Sequence, residues 1–388
     1  MQRLRVRGCE VAWERGRLGE WKRDHSERFA DGAERDRAIA EQVAEWTAAG
    51  LEVAEHEIEV VRRVSAREPG LEQQIRASGW SGDEASVYAD WLQRQGDPRG
   101  LIMALWLVER AVPARHAELG RAWSAALVEH RAHLFGHFGD PSRHVELEWG
   151  AGQIDALSLY RDSALREPWP TGDGDLLIGL LALPVCACLR TLRTDSAVLR
   201  DDEFWTRLHA LEPAQLAGLR ELVLVDRFGF SDSHTEWSHF AGLERLELSC
   251  DPRRPIDLPC LRELIVRARL FYSVALALRD SQLPRLRELS IHVDALDHPG
   301  QASETTVRSV VSEFFSLPMV TSLRALKLVL EEGGGPTRNL PRWLAEALVN
   351  APGLRGLVMI DLRQAVFEPE GWEVLVAAKE RMASLLLE

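Results

Sequence analysis

The chain is poor in cysteine, has no long apolar run, and carries fewer basic than acidic residues. Five cysteines in 388 residues are too few for a disulfide framework. The longest apolar stretches, such as Leu176–Leu189, are short and interrupted, well below the roughly 20 residues a spanning helix needs. Met1–Glu10 lacks the apolar core of a secretory signal, so a cytoplasmic chain is expected, with no membrane contact. Lys and Arg number 47 against 60 Asp and Glu, a net charge of −13. That disfavours nucleic acid or a membrane surface as the main partner. With 46% hydrophobic and 28% charged residues the composition is that of a folded chain. Its length exceeds one simple core and implies two or three domains, or a repeat array.

One pattern recurs: Leu, two residues, Leu, one residue, an apolar residue. Six good copies begin at Leu219, Leu243, Leu261, Leu286, Leu323 and Leu354, the first reading Leu219-Arg-Glu-Leu222-Val-Leu224. Weaker copies begin at Ile154, Leu189 and Met382. In a short strand alternate side chains face opposite ways, so the spaced leucines share one side. One such unit cannot bury its own apolar face, and neighbours must stack. The pattern resembles the leucine-rich repeat family over roughly residues 145–388. The resemblance implies an α/β fold: an irregular leucine-rich repeat solenoid, a horseshoe of about nine strands. The family's Asn, three residues after the last core Leu, is absent. Asp251 and Asp294 stand at two such places, and Arg227, Arg269, Glu331 and Leu362 at others. Helical patterns fill the long intervals at Asp202–Leu211, Glu304–Phe315, Leu340–Val349 and Pro369–Arg381. The Pro-rich Asp251–Leu258 reads as a loop.

Two other segments precede the repeats. Ser86-Val-Tyr88-Ala-Asp90-Trp91-Leu92 followed by Gly96-Asp97-Pro98-Arg99-Gly100 resembles the small companion domain that precedes repeat arrays in many bacterial proteins. Tyr88, Trp91 and Leu92 at i, i+3, i+4 make one helix face. Gly96 ends that helix, and Asp97 caps the next one with Pro98 at its first position. Leu101 stands where the family usually has an acid. This helical segment is expected to cap the array. At the start, Gly16-Arg17-Leu18-Gly19 and the helix-like Ala33–Ala49 resemble a diverged WGR domain, a small α+β module seen in DNA-dependent ADP-ribosyltransferases and bacterial regulators. Arg15 replaces its signature Trp. The expected organisation is a WGR-like module at 1–60, a helical companion domain at 61–143 and the repeat solenoid at 144–388.

Chemistry-bearing motifs are sparse. His130, His133 and His137 share a helical spacing that suits a transition metal, yet no Cys accompanies them; they are weak metal candidates. Cys186 and Cys188 lie in an apolar run and read as packing residues. Gly333-Gly334-Gly335-Pro336 lacks the Gly-Lys-Ser/Thr of a phosphate loop, and Asp173-Gly-Asp175 is too sparse for a calcium loop. No nucleophile motif or dinucleotide fingerprint is present. The expectation is a non-enzyme without catalytic residues or cofactor.

Binding falls to the outward strand positions. Glu221, Glu247, Glu263 and Glu288 are expected to form an acidic row, interrupted by Arg245, Arg267 and Lys327, with His292 beside it. Apolar Val223, Ile265, Val329, Val358 and Ile360 are expected to run alongside. Such a face suits a partner protein with a basic patch, bound by an adaptor, sensor or sequestering inhibitor in bacterial regulation or defence. Two alternatives stand beside it. One is a substrate of a signalling protease, cut in an exposed loop at Arg253, Arg254 or Arg338. The other is a nucleic-acid binder acting through the WGR-like module, although residues 1–28 carry only eight basic against five acidic residues.

Overall fold

The computed structural model describes residues 2–7, 10–17, 20–28, 34, 37–41, 66–78, 80, 83–138, 141–159, 173–195, 202–211, 216–225, 237–249, 252, 254–296, 303–330, 339–380, 382 and 384–387. The chain divides into two compact units, Met1–Val64 and Ser65–Glu388. In the first, β1 (Gln2–Arg7), β2 (Glu10–Arg17) and β3 (Glu20–Arg28) form an antiparallel meander in the order β1-β2-β3. Within the expected helix at 33–49, residues 34 and 37–41 are helical.

The second unit is an α/β structure around a ten-stranded sheet. Its strands are β4 (Glu146–Gly150), β5 (Gln153–Leu159), β6 (Thr191–Asp195), β7 (Glu221–Val225), β8 (Arg245–Leu248), β9 (Glu263–Leu270), β10 (Glu288–Ala295), β11 (Ala325–Leu330), β12 (Met359–Gln364) and β13 (Leu385–Leu386). They lie in simple sequence order. β4 and β5 form an antiparallel hairpin, and every later pairing is parallel. A sequential parallel sheet needs a return crossing after each strand. Here the crossings include the helices Asp173–Leu181, Asp202–His209, Phe271–Arg279, Glu304–Phe315, Arg342–Asn350 and Pro369–Lys379. The four helices expected from periodicity are all present, Glu304–Phe315 with its expected ends and the others with ends shifted by at most two residues. Helices Asp173–Leu181 and Phe271–Arg279 were not expected; the first is too uniformly apolar to show a 3.6-residue period, whereas the second buries Phe271, Val274, Ala275 and Leu278 at that spacing.

The repeat leucines pack on the helical side. Leu222, Leu246, Leu264, Leu289 and Leu326 stand directly beside one another and belong to one buried core that continues to Leu387. One copy departs from the expectation. Met359 pairs with Ala325, Ile360 with Leu326 and Asp361 with Lys327. The working copy is therefore Leu357-Val-Met-Ile360-Asp-Leu362, three residues later than the frame beginning at Leu354. Both frames satisfy the spacing, but only the later one buries Ile360 and Leu362 together. Ile360, 1% exposed, is thus a core residue and not part of an outward face. Leu354 is buried instead in the turn Pro352–Gly356 that leads into the strand.

The helical segment closes the first-strand end of this sheet. Helix Glu84–Arg94 runs into Gly96, whose φ of +70° makes the reversal. Asp97 then caps helix Pro98–Ala111 by accepting a hydrogen bond from the Arg99 amide at 3.0 Å. The two helices touch at Gly100, where a Cβ would lie 2.6 Å from the Ala89 carbonyl oxygen. Tyr88, Leu92, Ile75 and Met103 share a small core with Ala151 and Cys188 of the sheet's own turns. At Gly152 (φ +74°), in the β4–β5 turn, a Cβ would meet the Met103 amide nitrogen at 2.5 Å. Among the described residues, no helix is long and apolar enough to cross a membrane.

Candidate interaction face of the sheet

Strand alternation leaves three outward rows, and the parallel register shows which residues stand side by side. The first row runs Thr191, Glu221, Arg245, Glu263, Glu288, Ala325, Met359. The second runs Ser158, Arg193, Val223, Glu247, Ile265, Ser290, Lys327, Asp361. In the third, Arg267, His292 and Val329 are neighbours. The expected acidic row, with its arginine interruptions, is therefore corrected in one member. Glu247 belongs to the second row, and Arg245 occupies its place between Glu221 and Glu263.

That exchange builds a belt of ion pairs. Arg245 Nη1 lies 2.6 Å from Glu221 Oε1, Nε 3.1 Å from Glu263 Oε2, and Nη2 3.5 Å from Glu247 Oε2. Arg267 Nε takes the other Glu247 oxygen at 3.1 Å. Arg193 joins Glu221 at 3.6 Å to Glu148 of β4 at 3.1 Å. Partial burial lowers the Arg245 pKa, but the three carboxylates outweigh it and raise the pKa overall. At the far end Asp361 pairs with Arg363 at 2.8 Å. The Arg363 guanidinium, aided by Lys327, holds the Asp361 carboxyl below its ordinary range, against some burial. Arg193, Asp361 and Arg363 were not among the expected site residues. The first two follow from the pairing register, which one sequence does not show.

The expected apolar line is mostly unavailable to a partner. Val223 and Val329 face outward but are only 6% and 8% exposed. Ile265 is half-buried. Val358 is 76% exposed, yet it precedes β12 and stands outside the three rows. What the face offers is chiefly charge.

His292 sits between two of these groups. Arg267 Nη1 lies 3.2 Å from Nδ1, and Ser290 Oγ lies 3.0 Å from Nε2. A guanidinium only donates, so Nδ1 accepts and a neutral ring carries its proton on Nε2, which donates to Ser290 Oγ. A base for Ser290 would need a free lone pair on Nε2 and an acceptor at Nδ1. With the proton on Nε2 the arrangement has the opposite polarity.

The second charged cluster is sealed inside the helical segment. Arg99, 1% exposed, places Nη2 2.8 Å from Asp97 Oδ2 and donates from Nη1 to the Pro184 carbonyl at 3.0 Å. It also donates to the Ala66 carbonyl. Tyr88 donates to Glu72 Oε1 at 3.0 Å, and Arg67 Nη2 reaches Glu72 Oε2 at 2.7 Å. Burial alone would raise the Asp97 carboxyl. His133 at 3.5 Å and the Arg99 guanidinium more than offset it and hold the group well below the usual carboxylate range. Arg99 thus ties the helices to the turn at Pro184, while Tyr88, Asp97 and Gly100 hold the helical segment itself together.

The remaining candidates fall apart on placement. His130 sits at the junction of helices His116–Glu129 and Arg131–Phe135, while His133 is engaged with Asp97. The His137 side chain lies outside the described ones. Among the described residues no group of three or more His, Cys, Asp or Glu is placed to hold a metal ion. Cys186 and Cys188 are buried. Burial pushes both thiols up, Cys188 to about 12. Arg254 is exposed; Arg253 and Arg338 lie outside the described residues.

No family profile matches the chain, and no curated protein matches it. Among solved structures it is similar to a crystal structure of a Bacteroides fragilis protein, at 14% identity and a TM-score of 0.30, with 100% of this chain and 91% of that one covered. So slight a likeness carries no argument about fold or function.

Proposed function

We propose that the chain is a non-enzymatic, cytoplasmic protein-interaction module of the leucine-rich repeat type. In this reading the sheet curves as a horseshoe, and its outward face docks a partner protein, as an adaptor, sensor or sequestering inhibitor would. The ion-pair belt across β4–β10 carries the reading: half-exposed guanidinium and carboxylate groups held in fixed positions on one face of a sheet whose other face is core. Such pre-oriented charges give specificity and faster encounter at modest cost in ordering. Because arginines already answer most of the carboxylates, the partner presents both signs of charge, not a uniformly basic patch.

Photo-crosslinking tests this. A benzophenone amino acid at Ile265 or Ser290 is expected to capture one protein in host cells. The same group at Thr305 or Ser312, exposed on helix Glu304–Phe315, captures none. Cross-links of equal yield from both pairs of positions, or none from the sheet, refute the assignment of the face.

A further inference from the structure

A second surface lies at the rim where the strands begin. The residue just before each strand is hydrogen-bonded through its backbone to its counterpart in the neighbouring repeat. The Arg262 amide donates to the Glu244 carbonyl at 2.8 Å, Arg287 to Arg262 at 2.8 Å, Arg324 to Arg287 at 2.7 Å and Val358 to Arg324 at 2.8 Å. One side chain per repeat is thereby stacked in line, at roughly the 4.8 Å strand spacing. The entry segments of β9–β12 (258–262, 283–287, 320–324 and 354–358) hold five arginines and no carboxylate: Arg262, Arg285, Arg287, Arg324 and Arg355. All five are exposed. Arg287 donates to the Ser322 carbonyl at 2.9 Å, and the 65% exposed Arg262 side chain has only a long 3.9 Å approach to Glu244. Among the described residues, nothing engages the side chains of Arg285, Arg324 and Arg355.

Three arginines in line, with Arg285 and Arg355 in the turns leading into it, stand out in a chain of net charge −13; among the described residues, of the five only Arg262 approaches a carboxylate. We infer that this arginine rim is a docking strip for an extended acidic peptide segment of a partner protein. The line Arg262, Arg287, Arg324, Val358 is one side chain wide and about 14 Å long over four strands, which about five extended residues would span, with Arg285 and Arg355 flanking it in sequence. Its width favours a peptide over a nucleic acid. Glu263 and Glu288 begin the strands immediately beside it, so a broad phosphate backbone would lie against carboxylates. Guanidinium forks suit carboxylates in bidentate pairs. The strip is separate from the outward face and stands or falls without it.

The test is fluorescence anisotropy with a labelled peptide of about eight glutamates, a glutamine peptide of equal length and a labelled oligothymidylate, at low salt. The glutamate peptide is expected to bind, to weaken as salt shortens the Debye length toward ~3 Å at 1 M, and to outcompete the other two probes. The variant Arg285→Glu/Arg324→Glu/Arg355→Glu should lose tenfold or more in affinity. The charge-matched control Arg94→Glu/Arg121→Glu/Arg308→Glu should lose less than half as much on a logarithmic scale. Circular dichroism confirms that both variants fold. No binding of the glutamate peptide overturns the assignment. So does a loss below tenfold in the rim variant, an equal loss in the control, or tighter binding of oligothymidylate.

Discussion

Arg99→Met puts the joint between the helical segment and the sheet under the most direct strain. The substitution keeps an apolar stem of similar length and removes only the guanidinium. It leaves the buried Asp97 carboxylate without its ion-pair partner and the Pro184 and Ala66 carbonyls without their donor. Breaking a buried pair from one side costs about 3–5 kcal/mol, because the remaining charge stays desolvated. Unfolding entropy of about 2.1 cal/mol/K per residue gives about 0.7 kcal/mol/K for a unit of about 320 residues. The expected fall in Tm is then roughly 4–7 °C. Urea titration of the wild type, Arg99→Met, Asp97→Asn and the double variant supplies the cycle. Asp97→Asn keeps the helix cap while removing the charge. The double variant should therefore be more stable than the sum of single losses implies, by at least about 1 kcal/mol. The pH dependence has a definite sign. The Asp97 carboxyl is held below its unfolded value of about 3.9, so its stabilising contribution is present above about pH 4 and is lost as pH falls. In Arg99→Met burial acts on Asp97 without the guanidinium to oppose it, so protonation relieves an unpaired charge and the deficit relative to wild type shrinks as pH falls through the raised carboxyl range. A loss under about 1 kcal/mol, additive single variants, or a deficit that ignores pH would refute the account of this joint.

Four further outcomes follow from the packing. Ile360→Ala should cost about 2–5 kcal/mol as a core truncation, while Val358→Ala should stay within about 0.5 kcal/mol; thermal melts of the pair decide the frame of β12. Gly100→Ala should cost about 1–3 kcal/mol by forcing helices Glu84–Arg94 and Pro98–Ala111 apart, whereas Gly356→Ala, with open space around it, should be close to neutral by the same melts. Arg245→Met removes the centre of a partly exposed belt, so it should cost about 0.5–1 kcal/mol at low salt. That difference should shrink in 1 M salt, as chemical denaturation at two ionic strengths would show. Of Cys186, Cys188 and Cys260, a thiol reagent at neutral pH should label only Cys260 in the folded protein; mass spectrometry that finds Cys188 labelled without unfolding would contradict its burial.

The local signals in the sequence were physical and explicit. Leucines at fixed spacing must be buried together, so the strands and their inward sides were legible at nearly every copy. Gly96 and Asp97 act through their own backbone and near neighbours, so the helix reversal at 95–98 was legible too. Where local signals were degenerate, neighbours decided. Leu354 and Leu357 offer two equivalent frames at β12, and only pairing with β11 selects the one that buries Ile360. The order of charges on the sheet needed the register for a related reason. Alternation places Glu221, Arg245, Glu247 and Glu263 outward, but which of them meet depends on what stands one strand away, tens of residues distant in sequence. Arg245 neutralises Glu221 and Glu263 because parallel pairing puts them side by side. Sequence alone determined that this chain stacks leucine-bearing strands behind a helical segment. The tertiary register alone decided which charges are matched within the sheet and which, along the arginine rim, meet no carboxylate among the described residues.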